Sequence, residues 1–133
     1  MTISKMSMNH ISLRVKNLQE SFRFYHEILG LPVVRIIGPP KNPRLIFLEG
    51  LELSQLKPDQ DCVDPDQTGF YGHIGFEVQN IEQWIKKLEA QGVQFTLKFR
   101  DVIFNEEKHA VKVSFFTDPD NIPLELVEWR KLP

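Results

Sequence analysis

Two histidines and two glutamates stand in repeated local contexts in this chain of 133 residues. His10 lies in the segment NHISLRV and His73 in GHIGFEV, while Glu52 and Glu125 are each the centre of a Leu-Glu-Leu tripeptide. Two carboxylates about 4 Å apart repel by roughly 4 kcal/mol at an effective dielectric constant of about 20, and a divalent cation would turn that repulsion into binding. Nitrogen and oxygen donors suit nickel, zinc, cobalt, manganese or iron, and the residues alone do not choose among these metals.

Bringing these four side chains together requires elements that repeat as well. Around each histidine, apolar and polar residues alternate, and this period of two predicts a half-buried strand. Seven residues after each histidine comes an asparagine, Asn17 or Asn80, which predicts the N-cap of a helix. Gly30 and Gly92 predict where the two helices end. Each half therefore begins with a strand and a helix of similar size.

Three further strand-like segments follow each predicted helix. They are expected at 31–37, 44–49 and 51–57 in the first half and at 93–100, 109–117 and 122–130 in the second. The two halves are offset by 63 residues at the histidines and by 73 at the glutamates. We expect the ten additional residues of the second half in the polar stretch near Asn105–Lys108.

This repetition predicts an α+β fold of two tandem βαβββ modules. Module one covers about 8–57 and module two about 71–130. The segment between them, about 58–70, is rich in proline and aspartate and is expected to be a linker. At this length the two modules are expected to form a single domain.

All four candidate ligands lie on the polar faces of their strands, opposite the apolar residues that would pack under the helices. Two such sheets set side by side can line one cup with their polar faces, where two imidazoles and two carboxylates would converge. The alternative is that these are ordinary polar residues on the solvent side of amphipathic strands. Their equivalent placement in both halves favours the metal site.

Other titratable residues lack this repeated context. Glu49 lies close to the first Leu-Glu-Leu tripeptide but outside it. His26 falls within the first predicted helix, and His109 opens a strand without a counterpart in the first half, so both are expected at the surface. Glu77 and Glu128 have no repeat partner that would recommend them as ligands.

Aromatic residues in the second half could wall a substrate pocket. Core packing is the more common fate of residues such as Phe115 and Phe116. Trp129 alternates onto the same strand face as Glu125, which makes it the better candidate for binding a substrate.

Composition excludes several classes of function. The formal net charge of -2, with 26% charged residues of mixed sign, gives no basic surface for nucleic acid or a membrane. No apolar run approaches the roughly 20 residues of a membrane-spanning helix, and no export signal is expected at the N-terminus. Cys62 is the only cysteine, so no intramolecular disulfide can form, and a cytoplasmic location is expected.

The chain resembles the vicinal-oxygen-chelate superfamily, which contains glyoxalase I, bleomycin-resistance proteins and extradiol dioxygenases. The resemblance covers about 8–129 and is carried by the segments NHISLRV, SFRFYHEILGLP, YGHIGFEV and TDPDNIPLELVE. The last segment departs from the usual Asp-Pro-Asp-Gly turn, since Asn121 replaces the glycine.

The resemblance implies a metal site made of His10, Glu52, His73 and Glu125. In glyoxalase I-like relatives Glu125 would be the catalytic base, and Glu52 would hold the metal or return the proton on the other side. Such short proteins commonly form homodimers, so a site shared between two chains is expected.

The resemblance also bears on the substrate. Arg14 matches a position that helps to bind glutathione in glyoxalase I-like relatives. The segment Ser54-Gln55-Leu56 lacks the asparagine that those enzymes use there, which counts against glutathione.

The leading hypothesis is a metal-dependent lyase or isomerase that acts on a small carbonyl compound by proton abstraction and enediolate stabilisation. An extradiol dioxygenase ranks lower, because that iron site uses two histidines and one carboxylate and Glu52 would be an extra ligand. The alternative that is not an enzyme is a binding protein of the bleomycin-resistance type, which sequesters a ligand without metal. The fold alone does not identify the substrate.

Overall fold

The computed structural model describes residues 7–58 and 73–133. The described residues fall into two compact units, one for each predicted module. Each unit contains one four-stranded sheet and one helical segment, so the expected α+β fold of two βαβββ modules is confirmed. Apart from Pro58, the predicted linker lies outside the described residues, as does Cys62.

The sheet of unit one has the strand order β1-β4-β3-β2. Its strands are β1 (His10–Val15), β2 (Val33–Ile37), β3 (Leu45–Leu48) and β4 (Gly50–Gln55). β1 runs parallel to β4, and the other neighbours pair antiparallel. The first and last strands of the module are therefore neighbours, which brings the segments of His10 and Glu52 side by side.

The sheet of unit two repeats this order as β5-β8-β7-β6. Its strands are β5 (Ile74–Glu77), β6 (Phe95–Phe104), β7 (His109–Thr117) and β8 (Pro123–Lys131). β5 runs parallel to β8, and β8–β7 and β7–β6 pair antiparallel. The first and last strands of this module are neighbours as well.

The helical segment of unit one begins as expected at Asn17, whose side chain accepts a hydrogen bond from the backbone N–H of Glu20 at 3.0 Å. The α-helix α1 (Leu18–Phe22) runs directly into a π-helical segment, Arg23–Ile28. Gly30 follows with a φ of 84°, a left-handed conformation that glycine adopts without steric cost.

The helix of unit two, α2 (Ile81–Ala90), starts by a different mechanism from the one that we expected. Asn80 stands at the N-cap position, but its φ of 58° is left-handed and its side chain makes no capping hydrogen bond. The carboxylate of Glu128 on β8 accepts from the backbone N–H of Asn80 at 2.9 Å and of Ile81 at 3.2 Å. A residue 47 positions further along the chain thus caps this helix, which local sequence could not reveal.

Unit one uses its last strand in a related way. Gln55 stands three residues after Glu52, as Glu128 stands three residues after Glu125. The side-chain oxygen of Gln55 accepts from the backbone N–H of Leu18 at 2.9 Å, and its amide nitrogen donates to the carbonyl of Lys16. In both modules the last strand therefore supplies a side chain that satisfies free amides at the start of the helix.

Each unit has an apolar core on one face of its sheet. In unit one the buried strand residues are Leu13, Val15, Ile46, Leu48, Leu51 and Leu53, and in unit two they include Ala110, Phe116, Leu124 and Leu126. We call the opposite face of each sheet the donor face, because it carries the candidate ligands. The pairing of Ser12 with Glu52 and of Gly75 with Glu125 places each of these pairs on a donor face.

The additional residues of module two do not lie in the turn at Asn105–Lys108, as we expected. Phe47 pairs with Glu52 and Phe115 with Glu125, so these phenylalanines are structural equivalents. They are 68 residues apart, between the offsets of 63 at the histidines and 73 at the glutamates. Half of the extra length therefore lies in the β6–β7 hairpin, and half lies between Phe115 and Glu125.

The extra length is accommodated differently at these two places. β6 has 10 residues where β2 has 5, and β7 has 9 where β3 has 4, so the hairpin grows by adding paired residues. Between β7 and β8, Asn121 adopts the expected left-handed conformation with a φ of 64°. Asp118 stabilises this turn, because its Oδ1 accepts from the N–H groups of Asp120 and Ile122. Among the described residues, no helix has the length and apolar character required to span a bilayer.

Candidate active site

In unit two, the structure brings together His73 and Glu125. The Nε2 atom of His73 lies 3.2 Å from Oε1 of Glu125, although 52 residues separate them in the chain. Glu125 lies on β8 opposite Gly75, and its side chain is only 16% exposed, against 44% for His73. The absence of a side chain at Gly75 leaves room here, since a Cβ atom at this position would lie 3.4 Å from Oε1 of Glu125.

Phe115 completes this arrangement on the neighbouring strand. Its ring meets the imidazole of His73 edge-on, with the ring centroids 5.4 Å apart and an interplanar angle of 89°. Phe115 is also the partner of Glu125 in the β7–β8 ladder. It therefore packs beside both candidate ligands, whereas Phe116 is 1% exposed and belongs to the core.

Unit one repeats this geometry with different residues. The imidazole of His10 meets Phe47 edge-on at 5.4 Å and 84°, and Phe47 pairs with Glu52. The ring nitrogen Nδ1 of His10 lies 2.7 Å from Oδ1 of Asn9, and no ion pair joins His10 to Glu52 in the described part of the chain. The two units thus share a histidine, a phenylalanine and a glutamate on adjacent strands.

Sequence reasoning missed the two phenylalanines. Phe47 stands five residues before Glu52 and Phe115 ten residues before Glu125, so no fixed spacing connects them. The signal that could have found them is the strand register counted back from each glutamate. An aromatic ring edge beside an imidazole restricts how the imidazole can rotate, which helps to orient it toward a ligand.

Each unit taken by itself supplies two candidate metal donors. No group of three or more His, Cys, Asp or Glu side chains comes together to hold a metal ion within the ranges 7–58 and 73–133. The convergence of all four donors at one point therefore stays a prediction.

Arg14 lies at one end of the sheet of unit one, opposite Ser54 on β4. It lines a cavity of about 480 Å³ together with Arg44 and Lys57, and no acidic residue is among the residues that line it. This surface therefore concentrates positive charge, which suits a substrate with an anionic group. The placement agrees with the expected substrate-binding role of Arg14, which itself stays a prediction.

The equivalent surface of unit two has the opposite charge. Glu77 stands 63 residues after Arg14, and with Glu128 it lines a cavity of about 630 Å³ that Trp129 also contacts. Although the two modules have the same architecture, only the first therefore presents cations at this end of its sheet.

Trp129 lies on the donor face of unit two, as the alternation of β8 predicted. It is 49% exposed and stacks on Phe104, with centroids 6.1 Å apart and an interplanar angle of 24°. Trp129, Phe104 and Glu125 line a common cavity of about 320 Å³. A candidate metal ligand and an exposed aromatic side chain thus share one cavity, which supports the expected pocket role of Trp129.

The remaining histidines have structural partners. His26 stacks on Phe22, with centroids 5.1 Å apart, and its Nδ1 lies 2.8 Å from the carbonyl oxygen of Leu31. The Nδ1 of His109 lies 2.8 Å from the carbonyl oxygen of Glu107. Both imidazoles are half-buried rather than fully at the surface, because they bind backbone carbonyl groups.

A family model described as Glyoxalase/Bleomycin resistance protein/Dioxygenase superfamily matches residues 7–126. This chain belongs to that superfamily. The match spans both units, so it includes both histidine–glutamate sets and confirms the family expected from the sequence. The superfamily contains proteins of several activities, and membership alone does not choose one.

Curated relatives within the superfamily carry one recurrent name. A lactoylglutathione lyase of Schizosaccharomyces pombe is 28% identical over 94% of this chain, which spans about half of that relative, 48%. A lactoylglutathione lyase of Salmonella typhimurium is 26% identical over 92% of this chain and 93% of its own. Among solved structures, a glyoxalase family protein from Enterococcus faecalis is 31% identical, with a TM-score of 0.66 over 92% of this chain and 97% of that chain.

Proposed function

We propose that this chain is a glyoxalase I-like, metal-dependent lyase or isomerase that acts on a small carbonyl compound. The observation that carries the proposal is the contact of His73 with Glu125 at 3.2 Å, on a face whose layout recurs in unit one. The lactoylglutathione lyases among the relatives support the same class of reaction.

The donor chemistry of these residues fits a divalent cation. Glu125 is largely buried and lies beside a neutral or protonated imidazole, which is a pairing that a cation could replace by binding both groups. We propose that His73 and Glu125 hold the metal together with His10 and Glu52. When bound, a divalent cation would act as a Lewis acid that polarises the carbonyl group of the substrate.

The chain's own part in the reaction is to move a proton. We propose that a carboxylate oxygen of Glu125 accepts the proton from the carbon next to the carbonyl group, which gives an enediolate. Glu52 holds the metal or returns the proton on the other side. The position of Glu125 in a cavity with Trp129 agrees with this role, because a base must lie beside the bound substrate.

Two features support a role in binding the substrate. Arg14 lies in the cationic cavity of unit one, and Trp129 borders the cavity that contains Glu125. Gln55, which stands in the segment where glutathione-dependent relatives have asparagine, uses both ends of its amide to bind the backbone around the start of α1. We therefore propose that recognition relies on Arg14 and Trp129 rather than on a glutathione contact at this position.

Metal content is the direct test of the proposal. Gently purified protein is analysed for metals, and the same measurement is made on His10→Ala and His73→Ala. We expect a stoichiometric divalent metal in the wild type and a large loss in both variants, because a removed ligand typically weakens a site far more than a removed neighbour does. His109→Gln is the matched control, since this histidine binds only a backbone carbonyl, and it should keep its metal.

The outcome of this measurement also separates the alternatives. Wild-type protein without metal, and with a melting temperature that nickel, zinc and manganese leave unchanged, would overturn the proposal in favour of a sequestering protein. Iron together with oxygen uptake on a catechol would favour an extradiol dioxygenase.

A further inference from the structure

The lengthened hairpin of module two builds a wall that module one lacks. Its additional paired residues extend β6 and β7 past the level of the candidate ligands. Val102 pairs with Val111, and Val111 pairs with Trp129, so these three side chains lie on the same face. All three line the cavity that also contains Glu125. The insertion has therefore placed apolar surface beside a candidate catalytic residue.

This cavity has a buried floor and an exposed aromatic rim. Val111 and Val113 are 5% and 7% exposed, whereas Phe104 and Trp129 are 41% and 49% exposed. The rings of Phe104 and Trp129 are nearly parallel, with an interplanar angle of 24°. A volume of about 320 Å³ is enough for one aromatic ring with a short chain. A flat apolar group would remove the exposed aromatic surface from water.

One cation lies in this otherwise apolar wall. Arg100 lines the cavity, while its ladder partner Val113 contributes to the floor. No ion pair of Arg100 is found among the described residues. Glu125 is the other charged group of the cavity, and it is already in contact with His73. Arg100 thus presents an unneutralised guanidinium group to any molecule in the cavity.

A second arginine of the same hairpin region shows the contrast. Arg130 binds Asp101 through two hydrogen bonds of 2.9 Å. Since β-strand residues alternate in direction, Asp101 and Arg130 lie on the face opposite Arg100 and Trp129. The hydrogen bond from Arg130 lowers the pKa of the Asp101 carboxyl below its usual value, so this pair is charged on both sides near neutral pH. Of these two arginines, the one in the cavity has no carboxylate partner.

We propose that the substrate of this site carries a flat apolar or aromatic group with an anionic group, such as a carboxylate, attached to it. The apolar group lies over Val111 and Val113 against Trp129, and the anionic group binds Arg100. The inference rests on the proposed function for its claim that the cavity receives the substrate. The binding itself requires no catalysis, so it can be tested separately.

The test measures binding by the fluorescence of Trp129 in full-length protein as purified. Trp84→Phe removes the other tryptophan, which lies on α2, so that the signal comes from Trp129 alone. The probes are 3-phenylpropanoate, its neutral amide, and propanoate. We expect 3-phenylpropanoate to bind at least about fivefold more tightly than either of the others, because it alone uses both the wall and the cation.

Variants assign this preference to individual residues. In Arg100→Gln the carboxylate and the amide should bind equally, and Arg100→Lys should restore part of the preference. Arg130→Gln is the matched control, since it removes a positive charge from the same hairpin region on the other face, and it should leave the preference intact. Circular dichroism verifies that each variant is folded.

Three results would overturn the inference. They are no binding of 3-phenylpropanoate, equal binding of the acid and the amide to the parent protein, and a preference that survives in Arg100→Gln. The last would mean that the carboxylate binds elsewhere, for example at a metal. If the metal content of the wild type is stoichiometric while one of these results is obtained, only the substrate class fails and the proposed function stands.

Discussion

At the scale of single residues, the environments of Glu52 and Glu125 differ although their sequence contexts are the same. Glu125 is in contact with His73, faces Gly75 across the ladder and lies in a cavity with Trp129. Glu52 faces Ser12 instead and has no ion pair with His10 in the described part of the chain. This difference favours Glu125 as the proton acceptor of the proposed reaction.

Glu125→Gln tests that role. The amide cannot accept a proton, so we expect turnover of a small carbonyl substrate to fall by about 10²- to 10⁴-fold, as for other lost general bases. The measurement is the steady-state rate with metal content recorded in parallel, since Glu125 is also a proposed ligand. Glu49→Gln is the control, because Glu49 is exposed and lies three residues before Glu52, and it should keep full activity. Full activity of Glu125→Gln would remove it as the base.

At the scale of elements, the two helices begin with different capping mechanisms despite their similar sequences. Asn17 caps α1 with its own side chain, while Gln55 on β4 binds the following amide. At α2 the side chain of Asn80 makes no capping bond, and Glu128 on β8 binds two backbone amides. A negative charge at a helix N-terminus is also favoured by the helix dipole.

Urea denaturation of two asparagine variants tests this difference. Asn17→Ala should lower the free energy of unfolding by about 1 kcal/mol, because it removes a capping hydrogen bond. Asn80→Gly should change it by less than about 0.5 kcal/mol, since glycine accepts a positive φ and no side-chain bond is lost. Glu128→Ala, in contrast, should cost about 1–2 kcal/mol by leaving the first amides of α2 without a partner. Equal effects of the two asparagine substitutions would contradict this account.

At the scale of the whole molecule, duplication has produced two units with one architecture and different surfaces. Arg14 belongs to a cationic cavity in unit one, and Glu77 takes its place in an acidic surface of unit two. The lengthened hairpin and its apolar wall occur only in unit two. We therefore propose that the two units contribute unlike parts to substrate binding while they contribute like parts to the metal site.

A complementation experiment tests the proposed homodimer with shared sites. If each site combines module one of one chain with module two of its partner, mixing His10→Ala and His73→Ala chains gives some sites with both histidines intact. Random exchange makes half of the dimers mixed, each with one intact site, so about one quarter of the wild-type metal should return. Metal analysis after subunit exchange measures this. Recovery of no metal in a verified dimer would mean that each site forms within one chain.

Much of the fold was predictable because its signals are local. Alternation around His10 and His73 predicted β-strand structure at both positions, since a strand exposes successive residues on opposite faces. Asn17 and Gly30 predicted the limits of the first helical region through backbone and capping preferences. The repetition of these signals predicted two modules of one topology, and the family match confirms that fold.

The sequence by itself determined the two βαβββ modules and the donor face on which each candidate ligand lies. Only the tertiary structure decided that His73 contacts Glu125, that Phe115 packs beside them and that Glu128 caps α2. It also decided that the extra residues lengthen the hairpin and place Arg100 beside the aromatic wall. The physical reason is that periodicity specifies which face a residue takes, whereas strand register and hairpin length decide which distant residue it meets.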